Sequence, residues 1–118
     1  MTATQSNIVR ILQSAREIIA DPARWTKNAV ARNAAGKEVP ASHPEAVCWC
    51  VTGAIGRVTG YPDIERYRAL KVLQNAQIYD IGAQPQWTTI YNDFFLTTHA
   101  DILRLFDAAI VRAEKEKS

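Results

Sequence analysis

Apolar residues recur with the period of an α-helix in two long segments, one near each end of the chain. In both segments they fall mostly three or four residues apart, so each segment presents one continuous apolar stripe. The first stripe comprises Ile8, Ile11, Leu12, Ala15, Ile18 and Ile19, and the second comprises Ile102, Leu103, Phe106, Ala109, Ile110 and Ala113. We predict two amphipathic helices. Ser6 is the predicted cap of the first, and Thr98 with Asp101 forms a capping-box-like start of the second.

The middle of the chain carries a third stripe, within the stretch AVCWCVTGAIGRV at 46–58. Its members are Val47, Cys50, Val51, Ala54, Ile55 and Val58. Ahead of it, Ser42–Glu45 has the residue types of a capping box with proline in the first turn. We therefore predict one helix from Ser42 to Gly60, with Cys50 on its buried face and about two turns from its start.

Two further helical segments and one hairpin complete the predicted fold. One of these helices, the third in chain order, begins at Asp63. The other is shorter, begins at Pro85 and breaks near Asn92. The segment Asn33–Gly36 has a turn-forming composition and is flanked by valines, so a β-hairpin is predicted over residues 29–39. The elements together predict a mainly α fold, with four to five helices packed as a small bundle-like domain and one short β-hairpin.

Composition narrows the class of protein. A chain of 118 residues predicts a single domain, 1–118, and a net charge of +2 gives no electrostatic reason to expect a nucleic-acid partner. The basic residues Arg57, Arg66, Arg68 and Lys71 are interrupted by acidic ones, as on a solvated helix face. No apolar run reaches the about 18 residues of a membrane span, and the first residues lack a signal-peptide pattern. We therefore expect a cytoplasmic protein without a membrane partner.

The cysteines and histidines do not form a metal-binding pattern. Two of each, without paired ligand spacing, are too few for a structural zinc site, so no metal is expected. Cys48 and Cys50 would point about 200° apart on a helix, so we interpret both as reduced thiols. A free cysteine inside an apolar stripe commonly acts as a small buried hydrophobe. The chain has no glycine-rich phosphate-binding loop, and no cofactor is expected.

A catalytic alternative remains open for Cys50. His99 could act as its base, with Asp93 or Asn92 orienting the imidazole ring, as in a nucleophilic triad. The predicted position of Cys50 inside a helix argues against this, because reactive thiols favour helix N-termini.

Asn92, Asp93 and His99 are the polar residues that helix capping explains least well. A globular fold does not require such residues at a loop and a helix start, where polar side chains either cap a helix or contact a ligand. The predicted ligand-binding set adds nearby aromatic residues and one threonine: Trp25, Trp49, Tyr91, Asn92, Asp93, Thr98 and His99. The structural alternative is that the His99 ring ties the start of its helix to a backbone carbonyl.

Five short motifs resemble those of an uncharacterised family of small bacterial and phage-encoded proteins. They are Trp49-Cys50, Gly53-Ala54, Asn92-Asp93, Thr98-His99 and the helix Leu105–Ile110. The resemblance spans nearly the whole chain. The chain differs from the family pattern at Tyr91, where tryptophan is usual, and at Phe94-Phe95, where a Pro-Gly turn is usual. The resemblance implies a shared fold and no particular reaction.

We expect a non-catalytic binding domain that holds a small molecule or a partner protein. A hydrolase or transferase that uses Cys50, His99 and Asp93 is the alternative. The resemblance adds a narrower hypothesis, in which the protein sequesters a nucleotide-type signal or binds a host-defence protein in a bacterial cell or a phage-infected host. Assembly into a homo-oligomer is a further open partner class.

Overall fold

The computed structural model describes residues 2–60, 64–83 and 87–116, with side chains from Asn7 onward. The chain forms five α-helices, two short strands, one 3₁₀ turn and one π-helical segment in the described ranges. In chain order these are α1 (Thr2–Ile18), the 3₁₀ turn (Pro22–Arg24), β1 (Ala31–Arg32), β2 (Cys48–Trp49), α2 (Val51–Thr59), α3 (Ile64–Asn75), the π segment (Ala76–Ile81), α4 (Thr88–Asp93) and α5 (His99–Glu116). The prediction of a mainly α fold with a short antiparallel β element is confirmed.

The core lies where α1 packs along α5, with α2 and α3 closing its other sides. The two terminal stripes predicted from the sequence are largely buried there, and α5 adds Leu105. The largest fully buried apolar side chains are Trp49, Phe106, Leu12, Ile19, Ile55, Leu73, Ile102, Leu105 and Val51. Helix α1 begins at Thr2, one turn before the predicted cap at Ser6. None of the helices in the described part of the chain combines the length and the hydropathy that crossing a membrane would require.

The β element differs in its partner from the predicted hairpin. The Asn33–Gly36 turn forms, with the Gly36 N–H donating to the Asn33 carbonyl at 2.9 Å, and Arg32 makes an isolated bridge to Glu38. The two-residue ladder, however, joins β1 antiparallel to β2, with Ala31 opposite Trp49. Pro40 lacks the N–H that would extend a ladder past Val39, whereas pairing with β2 buries Trp49.

The start of α2 corrects the prediction of a helix opening at Ser42. Residues 40–46 form turns, in which the Glu45 N–H donates to His43 Nδ1 at 3.0 Å. The next residues are extended in β2, and the helix begins only at Val51, with Cys50 as its N-cap. Val47 is consequently exposed rather than in the core. The alternation of valine, cysteine and tryptophan at 47–51 fits a strand as well as a helix, and pairing with β1 decides between them.

The remaining helices follow the prediction closely. Helix α3 buries Ala69 and Leu73, and the π segment ends at Ile81 with Gly82 as its C-cap, which has a left-handed φ of 68°. Helix α4 ends at Asp93, as predicted. The predicted starts at Asp63 and Pro85 lie outside the described residues.

Candidate functional site

Asn92 is a completely buried hydrogen-bonding hub at the end of α4. Its Oδ1 accepts from Trp25 Nε1 at 2.7 Å and from the Val51 N–H at 3.2 Å. Its Nδ2 donates to the Thr26 carbonyl at 3.2 Å and to Asp93 Oδ1 at 2.9 Å. Both polar atoms are therefore used to join α4, the loop after the 3₁₀ turn and the first turn of α2. A buried amide with this many protein partners serves the architecture.

Asp93 and its surroundings extend the hub to the loop at 26–28. Asp93 Oδ1 also accepts from the Asn28 N–H at 2.8 Å, and Asn28 has a left-handed φ of 66°, which asparagine tolerates well. Lys27 Nζ donates to the Phe94 carbonyl at 2.6 Å and lies over the Trp25 ring. Side chains of both segments thus lock the loop against the end of α4.

His99 is tied to a backbone carbonyl, as the structural alternative predicted. Its Nε2 lies 2.7 Å from the Ile19 carbonyl oxygen, and because a carbonyl only accepts, Nε2 carries the hydrogen. Neither Asn92 nor Asp93 holds the ring. Trp25 packs beside it instead, with ring centroids 5.8 Å apart and the planes tilted by 52°. Trp25 is thus the residue that connects His99 to Asn92.

The other predicted ligand-binding residues occupy three different settings. Thr98 and Asp101 form a reciprocal capping box at 2.9 and 3.1 Å. Tyr91 is buried, and burial together with the Asp101 carboxylate raises the pKa of its hydroxyl, against a smaller opposing effect of Arg104. Trp49 lies in β2, with its side chain in the core.

The Trp49 ring is flanked by two guanidinium groups, those of Arg24 at 5.5 Å and Arg57 at 5.3 Å from the ring centroid. Its Nε1 donates to the Ala41 carbonyl at 2.9 Å. The Trp49 indole therefore has its own contacts within the fold, and these are separate from the side-chain contacts of Asn92.

Cys50 is buried, as predicted, but it lies at the N-cap of α2 instead of two turns inside a helix. Its Sγ accepts from the Gly53 N–H at 3.3 Å. Burial raises the pKa of the thiol; the backbone N–H groups of Gly53 and Thr52 oppose this shift, and the nearby Asp93 charge adds to it. Within the described ranges no hydrogen bond links Cys50 to His99, whose Nε2 is held by Ile19.

Three adjoining recesses share Thr52, and we call them together the Thr52 groove. The first, of about 640 Å³, lies between the segment 38–42 and helices α2 and α3, and Arg66 lines it. The second, of about 500 Å³, lies between α3 and α4 and is lined by Trp87 and Ile90. The third, of about 400 Å³, is lined by Asp93 and Cys50 among others. The Thr52 and Thr89 hydroxyls lie 3.0 Å apart at the centre.

Of the predicted ligand-binding residues, only Asp93 lines the Thr52 groove. Asn92 and His99 instead contact the two sides of Trp25 and line none of the three recesses. Sequence reasoning missed Thr52 and Thr89, because single threonines on two separate helices carry no motif or spacing that would mark them. A metal site has no support in the described segments, where no three His, Cys, Asp or Glu side chains are grouped to hold an ion.

Comparison with known proteins identifies the family but not an activity. Residues 3–112 match a family described as a family of unknown function, DUF6197. Searches of curated proteins and of solved structures find no match to the chain. The family match covers nearly all of the chain, including the Asn92 hub and the whole Thr52 groove. The chain therefore belongs to the DUF6197 family of unknown function.

Proposed function

We propose that the chain is a non-catalytic binding domain that holds a small molecule in the Thr52 groove. The observation that carries this proposal is that three recesses meet at one residue, Thr52. Each recess falls within the about 300–1,000 Å³ typical of small-molecule sites. A ligand centred on Thr52 could extend into more than one of them.

The lining of the groove has the mixed character that orients a small ligand. Apolar surface comes from Val30 and Val39 on one side and from Trp87 and Ile90 on the other. Hydroxyl groups stand at the centre, and carboxylates, including that of Asp93, stand at the third recess. A few polar groups among apolar walls give a site both affinity and orientation.

The Asn92 hub gives the groove a rigid frame. Asn92 and Asp93 join the end of α4 to the start of α2 and to the loop at Asn28, and each of these segments contributes to the lining. A site whose walls are fixed before binding loses less conformational entropy when the ligand arrives. Asn92 and Asp93, which the sequence analysis singled out, thus hold the walls of the groove in place.

The charges of the groove favour a neutral or positively charged ligand over a bare phosphate. Glu38 and Asp93 both line the third recess. At the start of α2, the Val51 and Gly53 N–H groups already donate to Asn92 Oδ1 and Cys50 Sγ, so this helix start is not open to an anion. A phage protein that acts against host defence would sequester a nucleotide-type signal. Such a ligand would have to place its phosphates at Arg66, which lines the first two recesses.

The proposal is tested by native mass spectrometry of the purified chain, followed by thermal-shift titration with adenosine, AMP and spermidine. A retained small molecule, or a saturable rise in melting temperature, is expected. The double variant Thr52→Val, Thr89→Val removes the central hydroxyls while keeping their volume, and should weaken binding at least about tenfold. Ser14→Ala, an exposed hydroxyl loss on α1, is the control. No retained species and no shift with any probe would refute the proposal.

The catalytic alternative has one observation in its favour, since Cys50 at a helix N-cap lines the same recess as Asp93. The burial and raised pKa of the thiol support the non-catalytic proposal. Alkylation of the native protein with iodoacetamide separates the two. We expect Cys48, which is half-buried, to react first. Rapid and selective labelling of Cys50 would favour the hydrolase or transferase.

A further inference from the structure

An exposed apolar surface runs along α4 and into the loop that follows it. Trp87 is the N-cap of α4, Ile90 lies within the helix, and Phe94 is its C-cap. Trp87 is 65% exposed, Ile90 52%, Phe95 81% and Leu96 66%. We call these four residues the α4 surface. The Phe94 and Phe95 rings lie 5.1 Å apart, so apolar residues continue from the end of α4 into the loop.

The α4 surface is held rigidly. The Asn92 hub fixes the end of α4, the Lys27 ammonium holds the Phe94 carbonyl, and the Thr97 N–H closes a turn onto the same carbonyl at 3.0 Å. His99 fixes the far end of the loop to Ile19. Phe95 and Leu96 are thus displayed by a segment that is anchored on both sides. Apolar residues presented in this way, and tryptophan and phenylalanine especially, are typical of interface centres.

The area of the α4 surface matches what a two-fold dimer requires. Taking about 200 Å² for a full large side chain, the four exposures leave roughly 500 Å² of apolar surface per chain. That is near the upper end for the largest patch on a monomer. Two copies face to face would bury roughly 1,000 Å² before any rim residue is counted, which is about the lower bound for a specific interface.

The charges around the α4 surface favour a second copy over a strongly charged partner. Lys27, Arg66 and Arg104 are positive, Asp93 and Asp101 are negative, and Arg104 pairs with Asp101 at 2.9 Å. A nucleic acid or an anionic membrane would require an excess of lysine and arginine here. A rim that carries both signs can face its own copy with little net repulsion.

We infer that the α4 surface is the self-association interface of a symmetric homodimer. Each chain places Phe95 and Leu96 against the α4 surface of its partner, which makes the contact isologous and closed. This inference does not depend on a ligand in the Thr52 groove, although Trp87 and Ile90 contribute to both surfaces. Dimerisation would then cover the edge of the groove that Trp87 and Ile90 line.

Sedimentation velocity across the micromolar to millimolar range, in reducing buffer to exclude disulfide-linked dimers through Cys48, tests the inference. The wild-type chain should dimerise. The double variant Phe95→Ser, Leu96→Ser should raise the dimer dissociation constant at least about a hundredfold. Val111→Ser is the matched control, because Val111 is also exposed but lies about 18 Å along α5 from His99. It should leave the constant unchanged.

A second measurement does not require any variant to fold. Trp87 is exposed, whereas Trp25 is half-buried and Trp49 buried, so iodide should quench tryptophan fluorescence more strongly as the wild-type protein is diluted. A wild-type chain that stays monomeric throughout would overturn the inference. So would a double variant that still dimerises, an equal effect of Val111→Ser, or quenching that does not change with dilution.

Discussion

The indole N–H of Trp25 donates to the side-chain oxygen of Asn92 at 2.7 Å, across 67 positions of the chain. The same indole packs beside His99. This contact joins the two polar motifs of the sequence, Asn92-Asp93 and Thr98-His99, to one aromatic residue near the first helix. Both motifs therefore stabilise the fold, and their contribution to the free energy of unfolding can be measured by substitution.

Asn92→Asp is expected to lower the free energy of unfolding at neutral pH by about 3 kcal/mol. The substitution keeps the size of the side chain but replaces the donor Nδ2 with an oxygen that faces the Thr26 carbonyl and the Asp93 carboxylate. Urea denaturation measures the change. Asn75→Asp is the control, because Asn75 makes no capping hydrogen bond, and it should change stability by only a few tenths of a kcal/mol. Equal losses in both variants would contradict the role of Asn92 as a hub.

His99→Ala is expected to lower stability by about 1–3 kcal/mol, because the Ile19 carbonyl loses its donor and Trp25 loses its ring neighbour. Thermal unfolding followed by circular dichroism measures this. His43→Ala, which removes a turn contact at the surface of the loop, should cost less than about 1 kcal/mol. An unchanged melting temperature in His99→Ala would point to ligand binding as the main role of His99.

Two glycines of α2 are expected to respond oppositely to alanine. At Gly53 an added Cβ would overlap the Val30 carbonyl oxygen, which also accepts from the Cys50 N–H, so Gly53→Ala should destabilise by about 2–3 kcal/mol. At Gly56 the nearest atom to an added Cβ is that of Ala41 at 3.5 Å, an ordinary contact. Gly56→Ala should therefore stabilise the helix by about 0.5–1 kcal/mol. Chemical denaturation of both variants gives the signs, and destabilisation by both would refute the distinction.

The raised pKa of Cys50 predicts a loss of stability at alkaline pH. The ordinary thiol pKa is about 9.0, and above it the unfolded chain ionises while the folded chain still holds the proton. The stabilisation is therefore complete below pH 9 and decreases as the pH rises above it. Cys50→Ser keeps an acceptor for the Gly53 N–H but does not ionise. Its unfolding free energy should fall less steeply with pH than that of the wild type, whereas parallel curves would contradict the prediction.

The sequence predicts a helix well where the spacing of its apolar residues fits only the helical period. Helices α1 and α5 follow from apolar residues with a helical period over about three turns. The start of α2 was predicted wrongly because the run from Val47 to Val51 satisfies a period of two as well as one of 3.6. The choice between them depends on Ala31, 18 positions from Trp49, and no local pattern contains that information.

The candidate site was predictable only in part, for a related reason. Asn92, Asp93 and His99 could be singled out because capping does not account for them. Their partners are mainly backbone atoms of Ile19, Thr26 and Asn28, and backbone atoms are the same in every residue type. The Thr52 groove arises where several separate segments meet, and its position therefore follows from tertiary packing alone.

The contacts between residues 19–28 and residues 92–99 also constrain the order of folding. They join positions 65 to 80 residues apart, and the earlier segment contains no regular structure beyond one 3₁₀ turn. Such contacts form only after a large loss of chain entropy, whereas α1 and α5 can nucleate locally. The loop from Trp25 to Asn28 and the first turn of α2 should therefore reach their native conformation late. During synthesis, residues 19–28 would therefore not reach their native conformation until Asn92 has left the ribosome.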